Sequence, residues 1–280
     1  MPLIIGNMRD QSLVRKAAHL VRFVVGQKNF YRCARLLMYE AQFDVLNDST
    51  TNGEHYLQEA ILGCVDRPVV FDIGANVGEW TDSLLKIARS REVIVHAFEP
   101  CSETFKMLSK RASHWKGVYL VEKACSDHAG KGRLSVESAG SGCNSLAAQL
   151  WDNGEDVELT TVDCYCRQQS IPHINFLKID AEGHDFNVLL GAESMLQGRH
   201  VDVIQFEYNH RWILGRKLLK DAFDYVQPFG YQLGKLSRNG VQFYSKWHWE
   251  LETYRESNYL ACLHDWAQKF HVIPADWVPY

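Results

Sequence analysis

The chain has 280 residues and eight cysteines, yet no Cys-x-x-Cys pair. Cys164 and Cys166 stand only two apart, closer than zinc-knuckle spacing, so a structural zinc site is not expected. No apolar run is long enough to span a bilayer, and the N-terminus does not read as a signal peptide. The expectation is a cytoplasmic protein with reduced, mostly buried thiols. Positive charge is not in excess: 30 Lys and Arg face 34 Asp and Glu, a net of −4, which gives no reason to expect a nucleic-acid partner. Repeats and low-complexity segments are lacking too. What is present is globular, 46% hydrophobic and 23% charged. The charge is uneven, however. Residues 1–40 hold seven Arg/Lys and two Asp/Glu, a net of +5, against −9 for the remainder.

The most informative stretch is Val69-Val70-Phe71-Asp72-Ile73-Gly74-Ala75-Asn76-Val77-Gly78-Glu79-Trp80. It reads as a buried strand ending at an acid, a glycine-containing turn, and a helix start. A second strand, Val93 to Phe98, ends at Glu99-Pro100. A glycine turn with an acid at the end of the next strand is how an α/β sheet holds a nucleoside: the backbone approaches the ligand, and the acid bonds the ribose hydroxyls. The dinucleotide fingerprint would need glycine where Asn76 and Glu79 stand, and a pyrophosphate disfavours the acids Asp72 and Glu79 nearby. A cationic, zwitterionic nucleoside such as S-adenosylmethionine suits the turn better. An ordinary strand–turn–helix junction with a surface Glu is the bland alternative.

Residues 10–46 read as two helices interrupted at Gly26, with Leu13, Ala17, Leu20, Val21 and Val24 on one face. A polar break spans Asn47 to Gly53, and residues 54–64 form a short helix. Strands are then expected at 69–73, 93–98, 118–123, 174–180 and 201–207, with helices at 77–89, 102–112, 184–196 and 216–227 between them. Arg133–Glu137 and Val157–Val162 bracket a Gly/Ser-rich loop, 138–145. Strands 231–236 and 241–246 form a hairpin about Asn239-Gly240. This alternation predicts an α/β, Rossmann-like fold: a mainly parallel twisted sheet, helices on both faces, and an antiparallel C-terminal hairpin. The expected domains are an N-terminal helical extension at 1–66, a cofactor-binding domain at 67–250, and an aromatic-rich helical extension at 251–280. Asp72, Glu99, Asp180 and Glu207 all fall at predicted strand ends, which marks that sheet edge as the active site.

These residues resemble the FkbM-type S-adenosylmethionine-dependent methyltransferases, a branch of the class I fold. The resemblance rests on Phe71 to Gly78, Ala97-Phe98-Glu99-Pro100, Ala124-Cys125-Ser126-Asp127 with Gly130, Asn144-Ser145-Leu146 and Leu159 to Asp163. Most distinctive is Leu177-Lys178-Ile179-Asp180-Ala181-Glu182-Gly183-His184-Asp185, followed by Leu189 to Leu196. It runs from about residue 53 to 246 and implies methyl transfer from S-adenosylmethionine to an oxygen, leaving S-adenosylhomocysteine, with sugar and natural-product hydroxyls as the acceptor classes. Carried over, Asp72, Gly74, Ala75, Asn76 and Gly78 line the methionine and ribose pocket. Glu99, with Pro100, holds the ribose, and either Asp127 or the backbone at Ala124–Cys125 borders the adenine. Asp180 is a further candidate for the cofactor's amino group. Lys123 stands where many relatives have Asn.

Two groupings suit the acceptor side. His184 is a candidate general base beside Asp180 and Glu182, with Lys178 pairing a neighbouring acid. Alternatively Asp180, Glu207 and Asn209 hold Mg2+ to acidify the hydroxyl. His210 and Arg211 contact substrate or belong to a surface loop. Trp247, Trp249, Tyr254, Tyr259, Trp266, Phe270, Trp277 and Tyr280 form either a sugar-stacking platform or a helix packed on the domain or on a second subunit of a homo-oligomer. The basic N-terminal helices are either a solvated cap or a peripheral membrane or anionic-glycan contact. The function expected is O-methylation of a glycan or glycosylated metabolite. The alternatives are another acceptor class and a non-catalytic module that binds S-adenosylmethionine.

Overall fold

The computed structural model describes residues 8–42, 44 and 51–275. Two compact units divide the chain, residues 1–45 and 46–280. The first contains α1 (Met8–Val25) and α2 (Gln27–Gln42). Gly26, at φ +79°, separates them: its left-handed backbone breaks the helix where a residue with a side chain would be strained. Most of the predicted polar break at 47–53 lies outside the described residues.

The second unit is built on an eight-stranded sheet. Its strands are β1 (Val69–Ile73), β2 (Ile94–Phe98), β3 (Val118–Val121), β7 (Ile174–Ile179), β8 (Val201–Tyr208), β9 (Tyr231–Ser237), β10 (Gly240–Tyr244) and β11 (Ser257–Leu263), in the order β10-β9-β11-β8-β7-β1-β2-β3. A small second sheet joins β4 (Ala124–Cys125), β5 (Gly130–Ser135) and β6 (Gly154–Thr160) in the order β4-β6-β5. The helices are α3 (Glu54–Cys64), α4 (Glu79–Ala88), α5 (Ser102–Arg111), α6 (Val162–Gln169), α7 (Asp185–Leu190), α8 (Glu193–Gln197), α9 (Leu219–Val226) and α10 (His264–Ala267). Strands β1, β2, β3, β7 and β8 run parallel. Their runs of buried apolar residues, such as Val69–Ile73 and Ile174–Ile179, are what a sheet covered on both faces requires. Alternate side chains enter two cores. Phe71, Leu177 and Ile204 meet Tyr165, Phe186 and Phe223 on one face, and Val70, Phe176 and Val203 meet Leu57, Leu84 and Trp266 on the other.

The structure corrects the expected layout in four places. The segment read as a C-terminal helical extension, 251–280, contains β11, which lies antiparallel between β8 and β9 inside the sheet. Its run Tyr259-Leu260-Ala261-Cys262 is too short to show a helical or strand period. Tyr259, Trp266 and Phe270 are buried core residues, whereas Trp249 is 66% exposed; Trp277 and Tyr280 lie outside the described residues. Helix α3, assigned to the N-terminal extension, buries Leu57 and Ile61 in the sheet's core, so the boundary falls near residue 46 rather than 66. The helix expected at 184–196 is two helices, broken at Gly191, where a Cβ would lie 2.0 Å from the Ser126 carbonyl oxygen. Helix α6 occupies a stretch with no expected element, and Thr161 caps it by accepting from the Cys164 amide.

The hairpin β9–β10 turns through Arg238-Asn239 at the sheet's edge, and residues 271–273 bond to Val241 beside it, covering that edge. Because β11 fills an interior position and pairs with both β8 and β9, truncation after Glu252 should abolish cooperative unfolding. Leu260→Ala should cost about 2–5 kcal/mol in denaturant melts. A truncated chain that still melts cooperatively would show the segment to be an accessory layer.

Candidate active site

The carboxyl ends of β1, β2 and β7 converge on one edge. After β1 the chain turns through Gly74 (φ +78°), whose amide and that of Ala75 both donate to the Phe98 carbonyl at 3.1 and 2.8 Å. A Cβ on Gly74 would stand 1.8 Å from the Asp180 carbonyl oxygen, so only glycine lets β1 and β7 close here. Asn76 is itself left-handed (φ +48°), and its amide donates to Glu99 Oε2 at 3.0 Å. The Cys101 amide donates to the other oxygen, Glu99 Oε1, at 2.9 Å. One carboxylate thereby ties the turns after β1 and β2 together. Burial pushes the Glu99 carboxyl up to about 7, opposed by the two amides.

Two adjoining cavities open on this edge. The first is walled by Glu99, Pro100, Lys123, Ala124, Cys125, Leu134, Leu146 and His184. The second is walled by Glu54, His55, Gln58, Trp80, Ser83 and Lys178. Gly74, Asn76, Gly142, Asp180 and Glu182 line both. Among the described residues, the buried amide oxygen of Asn76 and the indole nitrogen of Trp80 have no hydrogen-bond partner.

The expected site residues distribute as follows. Gly74, Ala75, Asn76, Glu99, Pro100, Ala124 and Asp180 wall the cavities. Asp72 does not. It is fully buried, accepts from Thr81 Oγ1 at 2.6 Å and pairs with Lys178 Nζ at 3.0 Å, so it braces the turn from below. Gly78 (φ +84°) lies one turn further on, packed against Leu108 and Trp115, and only starts α4. Asp127 is also absent from the walls and is occupied by Ser126, His128 and Asn187.

Lys178 is 3% exposed and reaches Asp72 at 3.0 Å, Asp180 at 3.3 Å and the Gly74 carbonyl at 3.3 Å. Burial lowers its proton affinity, but Asp72, Asp180 and Glu54 raise it more, so it stays an ammonium and does not accept protons. His184 walls only the first cavity. Its Nε2 lies 2.9 Å from Ser126 Oγ, and burial holds the ring down near 4, which makes it a weak proton acceptor. Glu182 is a left-handed residue (φ +53°) held 3.0 Å from Arg211 Nε; burial and then Asp180 push its carboxyl up to about 8.

The magnesium set does not assemble. Asn209 Nδ2 donates to Glu207 Oε2 at 2.5 Å, and the Asn209 oxygen accepts the Arg211 amide at 2.8 Å, which leaves no amide oxygen turned toward Asp180. Glu207 walls neither cavity, and burial with neighbouring acids raises its carboxyl well above the usual range, toward the neutral form. Among the described residues no group of three acidic, histidine or cysteine side chains is placed to hold a metal.

Sequence reasoning missed one contributor and left a second, Arg211, open between a substrate contact and a surface loop. The start of α3 brings Glu54, His55 and Gln58 to the second cavity, and nothing in the local pattern connects them to the glycine turn. Arg211 fastens the 138–145 loop: its Nη1 donates to the Cys143 carbonyl at 3.1 Å while its Nε holds Glu182. Ser145 Oγ completes the fastening by donating to the Glu182 carbonyl at 2.6 Å. The position of Arg211, just past a strand end, was its only signal.

The sequence profile of the methyltransferase FkbM domain matches residues 72–233. The chain belongs to that family. Among curated relatives, the 31-O-demethyl-FK506 methyltransferase FkbM of Streptomyces tacrolimicus is 30% identical over 45% of this chain and 59% of its own. The hexuronic acid methyltransferase AglP of Haloferax volcanii is 23% identical over 49% of this chain and 55% of its own. The chain thus spans less than two thirds of the length of either. Of solved structures, methyltransferase FkbM from Methylobacillus flagellatus aligns over 71% of this chain and 45% of that one, with 15% identity and a TM-score of 0.47.

Two measurements check this geometry. Arg211→Ala should speed amide exchange in segment 138–145 of the ligand-free protein, with Arg211→Lys in between; unchanged exchange would mean that the loop's own Ser141 and Asn144 contacts hold it. Glu99 and Asp185 are held up near about 7 and Glu182 near about 8, whereas the unfolded carboxyls titrate near 4.5 or below. Between about pH 6.5 and 8 the folded state therefore binds more protons, and stability falls as pH rises. His96 and His184, held near 4, oppose this only below the unfolded imidazole value of 6.5. The thermal midpoint should be higher at pH 6.5 than at pH 8; a flat or rising profile would contradict these burials.

Proposed function

We propose that this chain is an S-adenosylmethionine-dependent O-methyltransferase acting on a hydroxyl of a sugar, glycan or glycosylated metabolite. The observation that carries the reading is the Glu99 carboxylate, fixed by two backbone amides in the wall of the first cavity and beside the glycine turn. Its remaining lone pairs suit a pair of vicinal hydroxyls, as on a ribose. When bound, S-adenosylmethionine supplies an activated methyl on a sulfonium, so the protein's task is alignment and proton removal. Asp180, paired with Lys178 at 3.3 Å, offers a carboxylate where the cavities meet and suits a cationic centre. Asn76 lines the same junction.

We assign proton removal to Glu182 rather than His184. Glu182 walls both cavities, and once ionised a carboxylate held near 8 is a stronger base than a ring held near 4. Arg211 steadies the charge that Glu182 carries when ionised. The sugar acceptor is supported by the family relative that is a hexuronic acid methyltransferase. A second reading, a hydroxyl of a small natural product, is favoured by the relative of 30% identity, a 31-O-demethyl-FK506 methyltransferase.

Glu99→Ala should weaken S-adenosylhomocysteine binding roughly 10- to 100-fold by calorimetry, the loss of charged hydrogen bonds. Glu182→Gln should lower turnover by about 10²-fold or more, with turnover of the wild type rising as pH increases toward 8. His184→Ala should leave turnover within a few fold, and excess EDTA should leave it unchanged. Normal affinity in Glu99→Ala removes the ribose assignment, and normal turnover in Glu182→Gln removes the base.

A further inference from the structure

We propose that helices α1 and α2 form a docking surface for an anionic phospholipid bilayer, which they contact lying in its interface. The proposal goes beyond methyl transfer and does not depend on it. At 100° per residue, the apolar residues of α1 from Leu13 to Val25 gather in an arc of about 160°, which includes Leu13, Leu20, Val21 and Val24. Arg15, Lys16, His19 and Arg22 take the other side. In α2, Phe30, Tyr31, Leu37 and Met38 share one face, and Lys28, Arg32 and Arg35 share another. Phe23 and Leu36 fall outside these arcs. Leu13, Leu20, Val24 and Leu37 are 66, 65, 74 and 71% exposed, and Phe30 is half-buried, so most of both apolar faces is exposed.

An uncovered apolar face of this length favours a partner that takes it out of water. The charge identifies which. Cations flank both apolar arcs, and residues 1–40 carry +5 while the rest of the chain carries −9. That pattern matches an anionic lipid surface: the apolar arcs sink into the headgroup boundary, and the guanidinium and ammonium groups reach the phosphates. Neither helix is long and apolar enough to cross a membrane, so the contact is peripheral.

The test is sedimentation of the full chain with phosphatidylcholine vesicles, with and without about one third phosphatidylglycerol. The anionic vesicles should retain the protein at least about tenfold more strongly, and the difference should fade in high salt. Leu20→Glu with Val24→Glu should abolish retention, and Arg15→Glu with Arg22→Glu should remove the preference for anionic lipid. Both variants should keep the wild-type thermal midpoint, since the substitutions leave the sheet untouched. Equal retention on the two vesicle types, or none on either, would overturn the proposal. So would a concentration-dependent dimer that the Leu20→Glu, Val24→Glu variant dissolves, because the apolar face would then belong to a second copy.

Discussion

One buried cation organises the functional edge. Lys178, on β7, sits between Asp72 of neighbouring β1 and Asp180 just beyond its own strand, and it also donates to the carbonyl of Gly74. A lone ammonium at this depth would be strongly disfavoured, and two lone carboxylates equally so; together they are tolerable because each partner satisfies the others. The arrangement fixes three things at once: the end of β1, the backbone of the glycine turn, and the direction of the Asp180 carboxylate at the junction of two cavities. Removing Lys178 leaves Asp72 as an uncompensated buried charge, and removing Asp72 leaves the buried Lys178 with only the partly exposed Asp180, so the edge behaves as a unit.

Around that unit the chain concentrates acids that burial keeps partly neutral. Glu99, Glu182, Asp185 and Glu207 all hold their protons more tightly than free carboxyls do, for the same first reason, loss of water. Asp185 is spent on structure, accepting the Ala181 and Gly183 amides that shape the turn after β7. Glu99 is half spent, since each oxygen already takes one amide. Glu182 is held by Arg211 yet still walls both cavities, which separates it from the others as the group free to exchange a proton. The same Arg211 fastens the 138–145 loop, so Glu182 and that loop share one anchor.

Much of this edge was legible in the sequence because it is local. The run from Asp72 to Gly78 and the strand end at Glu99 carry their geometry in consecutive residues, and the alternation of strands and helices gave the parallel sheet. What was not legible depends on contacts between distant segments. Asp72 reads as a ligand-facing acid, and only the position of Lys178, 106 residues later, turns it inward. Asp180, Glu207 and Asn209 stand at strand ends and look like oxygen ligands, but the Asn209 amide folds back onto Glu207. Strand β11 pairs with β8 and β9 across gaps in sequence that no periodicity records. The membership of α3 in the sheet's core likewise follows from Leu57 and Ile61 meeting Val70 and Leu84, not from α3's own pattern.

The central claim is that the edge organised by Lys178 and Glu99 receives S-adenosylmethionine. Calorimetric titration of the wild-type protein with S-adenosylhomocysteine, with NAD as the control, tests it most directly. Micromolar, one-to-one binding of the nucleoside and none of NAD is the result the account predicts. No binding of S-adenosylhomocysteine by a folded protein, or binding of NAD in its place, would contradict it.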